Sequence, residues 1–304
     1  MHRFLLHNGE VRPSSERLAT FGQVGLLSGW GVFSTIRIYD GVLFAWERHW
    51  ARMASDARRL RVPFPTSPDR WADDLGRLVE ANEAWNATLR VVVVRNRGGM
   101  WEGLMPDGGA PRDFDFIALT ADLYQWRQNL LGGDGVKLGL VPHARHAANE
   151  FAGAKILTWG QNLALYERAH EQGYDEVVLL NERGEVSECT SGNIFAVYGH
   201  RVLTPPLASG CLPGVTRAVL LEEVRVPGFQ IQEKVLVPSD LESADEVMIT
   251  STTREMLPAV SIEGLRIRRG HAAVDRLRQA FSDCVQSYVA KKRAEANVAV
   301  SLPV

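Results

Sequence analysis

The chain has 304 residues, of which 45% are apolar and 23% charged, and this composition predicts an ordinary globular protein with an ample core. The formal net charge of −2 excludes a broadly basic nucleic-acid surface, and no apolar run approaches the length of a membrane helix, so we expect neither partner. The three cysteines have spacings unlike a metal site, and the N-terminal apolar stretch is too short for a signal peptide. We therefore expect reduced thiols in a cytoplasmic protein.

The first 122 residues combine strand and helix patterns. Two β-branched runs within 31–46 meet at Asp40-Gly41, which predicts a hairpin. Apolar residues then recur at helical spacing from Trp46 to Leu60, which predicts a helix with one buried stripe. Further strands are predicted near 89–96 and 114–123. These patterns predict an N-terminal α+β domain at 1–122.

A polar stretch with paired glycines follows and predicts an interdomain linker at 123–135. The rest of the chain, 136–304, mixes short strands and helices and predicts a C-terminal α/β domain with substantial sheet. Within it we expect an irregular stretch at 142–154, then a helix ending at Gly173. Near its end, a strand runs into a Ser/Thr cluster at 250–253, and an amphipathic helix closes the chain.

Lys155 is one of only five lysines in the chain and lies between small or apolar neighbours in "FAGAKILTW". Partial burial of a lysine lowers the pKa of its amine toward a usable range, and arginine cannot serve in that role. A functional amine and a lysine extending from a loop to solvent both fit this local sequence.

Three further features suggest ligand binding. Glu188 is a carboxylate inside a strand-like run, where a positive partner is needed to offset the cost of burial. "PGVTR" places the amides of Val215 and Thr216 at a helix N-terminus, and the cluster around Thr252 offers further hydroxyls and amides. An amine for an aldehyde, donors for a phosphate and a carboxylate for a ring nitrogen are the groups that pyridoxal 5'-phosphate requires.

The order of these motifs resembles one family. Lys155 is followed by "GYDEVVLLNERGEVSECTSGNIFAV", "VLTPP", "LPGVTR" and "ADEVMITSTTREMLP", and preceded by "GVFSTIRIYDG" and "ERHWARM". This pattern is similar to the class IV, or fold-type IV, pyridoxal-phosphate aminotransferases, which include branched-chain aminotransferases, D-amino-acid aminotransferases and aminodeoxychorismate lyase. The resemblance implies a two-domain α/β fold with the cofactor at the domain junction, the catalytic lysine in the C-terminal domain, and a homodimer.

The resemblance also implies roles for individual residues. Lys155 would be the Schiff-base lysine and the general acid and base, and Glu188 would pair with the pyridine nitrogen. Arg52, Val215, Thr216 and Thr252 would bind the phosphate. Thr253 falls where family members often hold a substrate carboxylate.

The sequence departs from the family pattern near the substrate. Trp159-Gly160 replaces a tyrosine that many members carry after the lysine, and Trp30 stands where branched-chain enzymes tend to have tyrosine. "FSTIR" and "RNRGGMW" are closer in form to lyase-like members. Three arginines are candidates for binding a substrate carboxylate, although each is equally compatible with a structural role: Arg37, Arg95 and Arg97.

We therefore predict an aminotransferase that moves an amino group from an amino acid, branched-chain-like by overall pattern, to a 2-oxo acid by a ping-pong mechanism. Aminodeoxychorismate lyase and a D-amino-acid or (R)-amine transaminase remain alternatives. A metal hydrolase built on His143, His146 and Glu150 is disfavoured because their spacing is not a zinc signature, and we expect no metal.

Overall fold

The structure, a computed structural model, describes residues 1–18, 24–98, 112–123 and 135–301. Apart from its two end residues, the linker predicted at 123–135 lies outside the described residues. The chain forms two compact units. Unit 1 comprises Met1–Leu123, Lys155–Trp159 and Tyr288–Val304, and unit 2 comprises Tyr124–Ala154 and Gly160–Ser287.

Unit 1 contains one six-stranded sheet in its described part. Its elements are β1 (Phe4–His7), β2 (Glu10–Pro13), α1 (Val24–Ser28), β3 (Gly31–Tyr39), β4 (Val42–Leu43), α2 (Trp46–Leu60), α3 (Pro68–Ala81), β5 (Thr88–Arg95) and β6 (Phe114–Ala121). The strand order is β2-β1-β6-β5-β3-β4, with every pair antiparallel. The long β3 therefore lies between β5 and the short β4.

The β3–β4 hairpin turns at Asp40-Gly41, as predicted. Both residues have positive φ, 49° and 84°, the conformation that a two-residue turn between twisted strands requires. The predicted helix after it is α2, and its apolar stripe packs against the sheet together with α3. The core beneath them contains Ile36, Met53 and Leu75, all at most 1% exposed.

Unit 2 contains an eight-stranded sheet in its described part. Its elements are β7 (Val136–Arg145), α4 (Gly160–Glu171), β8 (Glu176–Asn181), β9 (Val186–Cys189), β10 (Asn193–Tyr198), β11 (Arg201–Thr204), a 3₁₀ turn (Leu207–Ser209), α5 (Val215–Glu222), β12 (Gln230–Glu233), α6 (Pro238–Ser243), β13 (Glu246–Ser251), β14 (Glu255–Ile262) and α7 (Ala272–Ser301). The strand order is β12-β11-β10-β13-β14-β7-β8-β9. β8, paired in parallel with β7, is buried along its whole length.

One local expectation for unit 2 is corrected and another is confirmed. The irregular stretch predicted from Pro142 begins later, because β7 continues to Arg145 through a register shift after Val141. The Ser/Thr cluster follows the predicted strand, which is β13. It turns the chain from β13 into β14, and β14 accommodates Pro258 within its pairing.

The units differ from the predicted domain boundaries in two segments. Residues 155–159 cluster with unit 1 because Ile156 forms a β-bridge with Val32. The end of α7 does so because the Tyr288 hydroxyl donates to Glu47 at 2.7 Å. The catalytic lysine was expected in the domain at 136–304, whereas its segment groups with the N-terminal sheet.

No helix within the described ranges is long and apolar enough to cross a membrane.

Candidate active site

One face of α2 carries three polar side chains at helical spacing. His49, Arg52 and Asp56 follow one another at intervals of three and four residues, which places them on one side of the helix. His49 is 1% exposed and Asp56 is 2% exposed, while Arg52 is half-buried. Polar groups buried in this way need partners, and β3 and the segment around Lys155 provide them.

Ser34 on β3 joins His49 to Arg52. The Arg52 Nη2 group donates to Ser34 Oγ at 2.8 Å, and the distance from Ser34 Oγ to His49 Nδ1 is 2.7 Å. A serine hydroxyl has one hydrogen and two lone pairs, so Ser34 can bond to Arg52 and His49 together, and the histidine tautomer sets which atom donates to the other. Burial, aided by the charges of Arg52 and Lys155, lowers the pKa of His49 well below its usual value.

Lys155 lies beside the edge of β3 that is opposite β5. The Phe33 N–H donates to the Lys155 carbonyl at 3.1 Å, and the Leu157 N–H donates to the Gly31 carbonyl at 2.9 Å. The Lys155 Nζ atom lies 4.6 Å from the centroid of the Phe33 ring. This backbone pairing fixes where the amine of a half-buried lysine is presented.

We call Phe33, Ser34, His49, Arg52, Asp56 and Lys155 the lysine cluster. The structure brings the predicted Lys155 and Arg52 together within it, since the charges of both act on His49 and Asp56. Burial lowers the pKa of Arg52 to about 10, Asp56 opposes that shift, and the guanidinium keeps its charge at neutral pH. The cluster therefore presents a cation and an amine, as an anionic aldehyde ligand requires.

Glu188 lies in unit 2, on β9, and is 8% exposed. Its Oε1 accepts from Arg145 Nε at 3.1 Å, and its Oε2 accepts from the Leu212 N–H at 3.0 Å. Arg145, Glu188 and Leu212 form what we call the glutamate cluster. An ionised carboxylate has about four lone-pair positions, so it can accept from several donors at once.

The Ser/Thr turns of unit 2 meet through strand pairing. Asn193 of β10 pairs with Thr250 of β13, which sets the turn at 190–192 beside the turn at 251–254. Thr252 and Thr253 are half-buried in the second turn. The Thr250 hydroxyl is buried and has no hydrogen-bond partner within the described ranges.

A buried ion pair connects the turn at 190–192 to the turn at 251–254. Arg254 Nη2 lies 2.9 Å from Glu176 Oε2, and it donates to the Ser191 carbonyl at 3.1 Å. The hydroxyls of Thr190 and Ser191 also donate to Glu176, which is fully buried. Burial raises the pKa of Glu176, but Arg254 and the two hydroxyls outweigh it and the net shift is downward.

Helix α5 begins at the predicted position with Gly214 as its N-cap. A Cβ on Gly214 would lie 2.0 Å from Asn193 Oδ1, so any larger residue there would require the Asn193 side chain to shift. Val215 and Thr216 follow, both 5% exposed. Gly214 itself makes no side-chain cap hydrogen bond, and an N-terminus without such a cap suits an anion.

The substrate-binding candidates in unit 1 have partners of their own. The Arg95 guanidinium lies 4.3 Å from the Trp30 ring centroid and donates to the carbonyls of Arg61 and Arg97. These contacts favour the structural interpretation of Arg95. Arg97 is 3.7 Å from Asp113, and Arg37, 6% exposed, lies 4.8 Å from the Tyr39 ring.

Sequence reasoning did not find several polar residues of these clusters. They are Ser34, His49, Asp56, Arg145, Glu176 and Arg254. The sequence placed His49 on the flank of the apolar stripe of α2 without giving it a role, and Asp56 could have been noticed in the same way. Arg145 and Arg254 left no comparable signal, because their partners are remote in sequence.

The donor set suits pyridoxal phosphate. Unit 1 supplies a cation and an amine, and unit 2 supplies an anchored carboxylate, an uncapped helix start and a buried hydroxyl at Thr250 without a partner among described residues. These are the chemical types that a phosphate, an aldehyde and a pyridine nitrogen require.

The sequence profile of the amino-transferase class IV family matches residues 31–262. A putative branched-chain-amino-acid aminotransferase of Methanocaldococcus jannaschii is 31% identical over 280 residues, which cover 91% of this chain and 94% of that protein. A D-alanine aminotransferase of Bacillus licheniformis is 28% identical over 272 residues, 88% of this chain and 90% of the relative.

The comparison of folds agrees with this family match. The crystal structure of Escherichia coli branched-chain amino acid aminotransferase superposes with a TM-score of 0.83 at 26% identity, covering 94% of this chain and 95% of that one. The chain belongs to the class IV aminotransferases, a family of enzymes that depend on pyridoxal phosphate. The predicted mixed α/β fold and the family resemblance are both confirmed.

Proposed function

We propose that this aminotransferase uses pyridoxal phosphate to transfer the amino group of a branched-chain amino acid to a 2-oxo acid. The observation that carries the proposal is the lysine cluster, where an amine on the edge of β3 shares its polar surroundings with the half-buried Arg52. The names of the relatives support the branched-chain donor.

When bound, the cofactor supplies an aldehyde that condenses with amines and a ring that takes up the electrons released at the substrate α-carbon. Lys155 would hold the cofactor through its Nζ atom. Once released by the incoming substrate amine, the same Nζ would remove the proton from the substrate α-carbon. It would then return that proton to the carbon on the other side of the transferred nitrogen. An arginine could not do this, because it stays protonated.

Glu188 would accept a hydrogen bond from the protonated ring nitrogen. Its pairing with Arg145 and the Leu212 N–H supports this role, because both contacts stabilise the ionised carboxylate and fix its direction. The Arg52 guanidinium, the Val215 and Thr216 amides and Thr252 would bind the phosphate. A partly buried guanidinium and an uncapped helix start both donate strong hydrogen bonds to an anion.

Each half of a ping-pong cycle would use the same groups. The amino acid leaves as a 2-oxo acid in the first half, and a second 2-oxo acid leaves as an amino acid in the other. Arg37 and Thr253 are the candidates that we favour for the substrate carboxylate, since Arg95 is engaged with Trp30 and two carbonyls.

We also propose a cytoplasmic homodimer. Cys189, Cys211 and Cys284 are all free thiols, which supports a reducing compartment. The dimer rests on the family resemblance. Sedimentation equilibrium of the full chain tests it, and a monomer at all concentrations would contradict it.

A panel of single donors tests the function. The cofactor-loaded enzyme is mixed in turn with leucine, D-alanine, an (R)-amine and aminodeoxychorismate, without any acceptor, and the released product is identified. We expect leucine to yield its 2-oxo acid once per active site and to turn over when 2-oxoglutarate is added. Continuous pyruvate release from aminodeoxychorismate would instead assign the lyase, and reaction of D-alanine or the (R)-amine alone would assign the third alternative.

A further inference from the structure

Asp56 has no role in the proposed chemistry, yet it is the acid nearest to Lys155 in the lysine cluster. It lies on α2, one turn after Arg52, and is 2% exposed. Its Oδ2 accepts the backbone N–H of Lys155 at 3.1 Å, a contact between residues 99 positions apart. The acid therefore connects α2 directly to the backbone of the lysine.

A buried carboxylate needs nearby cations or hydrogen-bond donors, because burial of a charge is costly. Burial raises the pKa of Asp56, and four influences oppose that rise. They are the Lys155 N–H and the charges of Arg52, Arg59 and Lys155. The Arg59 Nη1 atom lies 3.7 Å from Asp56 Oδ1. Asp56 is thus surrounded by cations from α2 and by the lysine segment.

The hydrogen bond has a geometric consequence. Residues 155–157 pair with the edge of β3 through the Lys155 carbonyl and the Leu157 N–H. The Lys155 N–H is donated to Asp56 instead, so the acid fixes this segment from the side of the helix. Without it, a buried N–H would lose its partner, at a cost comparable to a lost hydrogen bond.

The charge has a second consequence. Arg52 and Lys155 are both basic, and each adds to the positive potential that lowers the pKa of His49. A negative charge among them lowers their mutual repulsion and stabilises an ammonium on Lys155. His49 cannot supply that charge, because an imidazole ring is either neutral or positively charged.

We propose that Asp56 is a positioning residue for Lys155, which anchors the lysine backbone to α2 and supplies the anion that stabilises its ammonium form. The importance of this role for catalysis rests on the proposed function of Lys155. The anchor and the charge are separable, because asparagine keeps an oxygen that accepts the N–H but carries no charge, whereas alanine has neither.

The charge is tested by competitive labelling of the full-length chain, freed of bound cofactor, with acetic anhydride across a pH series. Mass spectrometry reads the modification of each lysine. In Asp56→Asn the half-labelling pH of Lys155 should fall by about one unit relative to wild type, the size expected for loss of a nearby opposite charge. Lys137, exposed in the same chain, serves as the internal standard, and Asp73→Asn on the exposed face of α3 is the matched control.

The anchor is tested by hydrogen exchange of the Lys155 amide. Asp56→Ala should speed this exchange at least about tenfold, as loss of one buried hydrogen bond predicts, while Asp56→Asn should leave it near wild type. An unchanged half-labelling pH in Asp56→Asn would overturn the charge role. Wild-type exchange in Asp56→Ala would overturn the anchor, and if that variant does not fold, Asp56→Leu, which keeps a similar volume and favours the helix but cannot accept the N–H, supplies the same readout.

Neither readout requires a bound cofactor. The proposed function is tested separately, because borohydride treatment of the loaded enzyme should attach a phosphopyridoxyl group to Lys155. An unmodified Lys155 there would overturn the proposed function and leave the relation between Asp56 and Lys155 standing, whereas a modified lysine with unchanged labelling in Asp56→Asn would do the reverse.

Discussion

The lysine cluster and the glutamate cluster are built in different ways. The lysine cluster uses one face of α2, whose polar residues lie three and four positions apart, against the edge of β3. The glutamate cluster and the turns beside it use strand ends and short turns, joined by ion pairs such as Arg145–Glu188 and Glu176–Arg254. A helix sets the spacing of its own residues, whereas loops need cross-links to hold theirs.

The two clusters should therefore respond differently to single substitutions. In the lysine cluster, a substitution that keeps the helix leaves the neighbouring side chains in place, so effects should be specific to one function. In the glutamate cluster, removal of one partner leaves a buried charge without compensation, which is destabilising. Five predictions follow the comparison from the largest effect to the smallest.

Removal of the amine tests the lysine cluster most severely. Lys155→Ala should lower transamination by up to about 10⁴-fold, the upper end of what a positioned acid–base group contributes. Steady-state turnover with leucine and 2-oxoglutarate measures the loss, and Lys137→Ala is the exposed control. Native turnover in Lys155→Ala would refute the assignment of the lysine.

Removal of the charge from Glu188 tests the other cluster. Glu188→Gln should slow turnover about a hundredfold, because a neutral amide cannot stabilise a protonated ring nitrogen. Single-turnover rates measure this, with Glu171→Gln on the exposed face of α4 as control. A rate equal to that of the control would show that the carboxylate charge is dispensable.

The phosphate role of Arg52 separates binding from catalysis. Arg52→Met should raise the Kd for pyridoxal phosphate about tenfold to hundredfold, since hydrogen bonds to charged groups contribute about 1.5–3 kcal/mol. Fluorescence titration measures it, and Arg58→Met, exposed on the same helix, is the control. Pyridoxal without its phosphate should bind both variants equally, and a parallel loss for pyridoxal would contradict the phosphate role.

The neutral ring of His49 predicts a pH dependence of stability. Its folded-state pKa is lowered far below 6.5, so the unfolded state takes up a proton first as the pH falls. The folded state should therefore lose up to about 1.4 kcal/mol between pH 7.5 and 5.5 through this group. Urea unfolding measures the free energy at each pH. His49→Asn should remove this part of the slope, and an identical slope in both proteins would count against a buried neutral ring.

Substitution of Ser34 should have the smallest effect, a modest loss of affinity for pyridoxal phosphate. Ser34→Ala removes the oxygen that accepts from Arg52 and should raise the Kd for pyridoxal phosphate only about fivefold, in line with about 1 kcal/mol for one hydrogen bond. Thr35→Val, one position along β3 with its side chain on the opposite face, is the matched control. An Arg52→Met, Ser34→Ala double variant should resemble Arg52→Met alone, and additive losses would show that serine does not act through the arginine.

The local pattern of the sequence predicted much of the architecture. The Asp40-Gly41 hairpin, α2, the helix ending at Gly173 and the start of α5 all depend on residues within one or two turns of each other. β14 was missed because Pro258 lies inside it, and proline normally argues against a paired strand. The sheet tolerates it because the neighbouring pairs hold the strand.

By itself, the sequence determined the family, the fold class and the residues that we propose to hold the cofactor, because these depend on motifs read in order along the chain. Only the tertiary structure decided their surroundings. Asp56 and Lys155 are 99 residues apart, and Glu176 and Arg254 are 78 apart, so no local pattern links them. Burial and partner choice arise from packing of distant segments, which is why the polar support of each cluster became visible only in the folded chain.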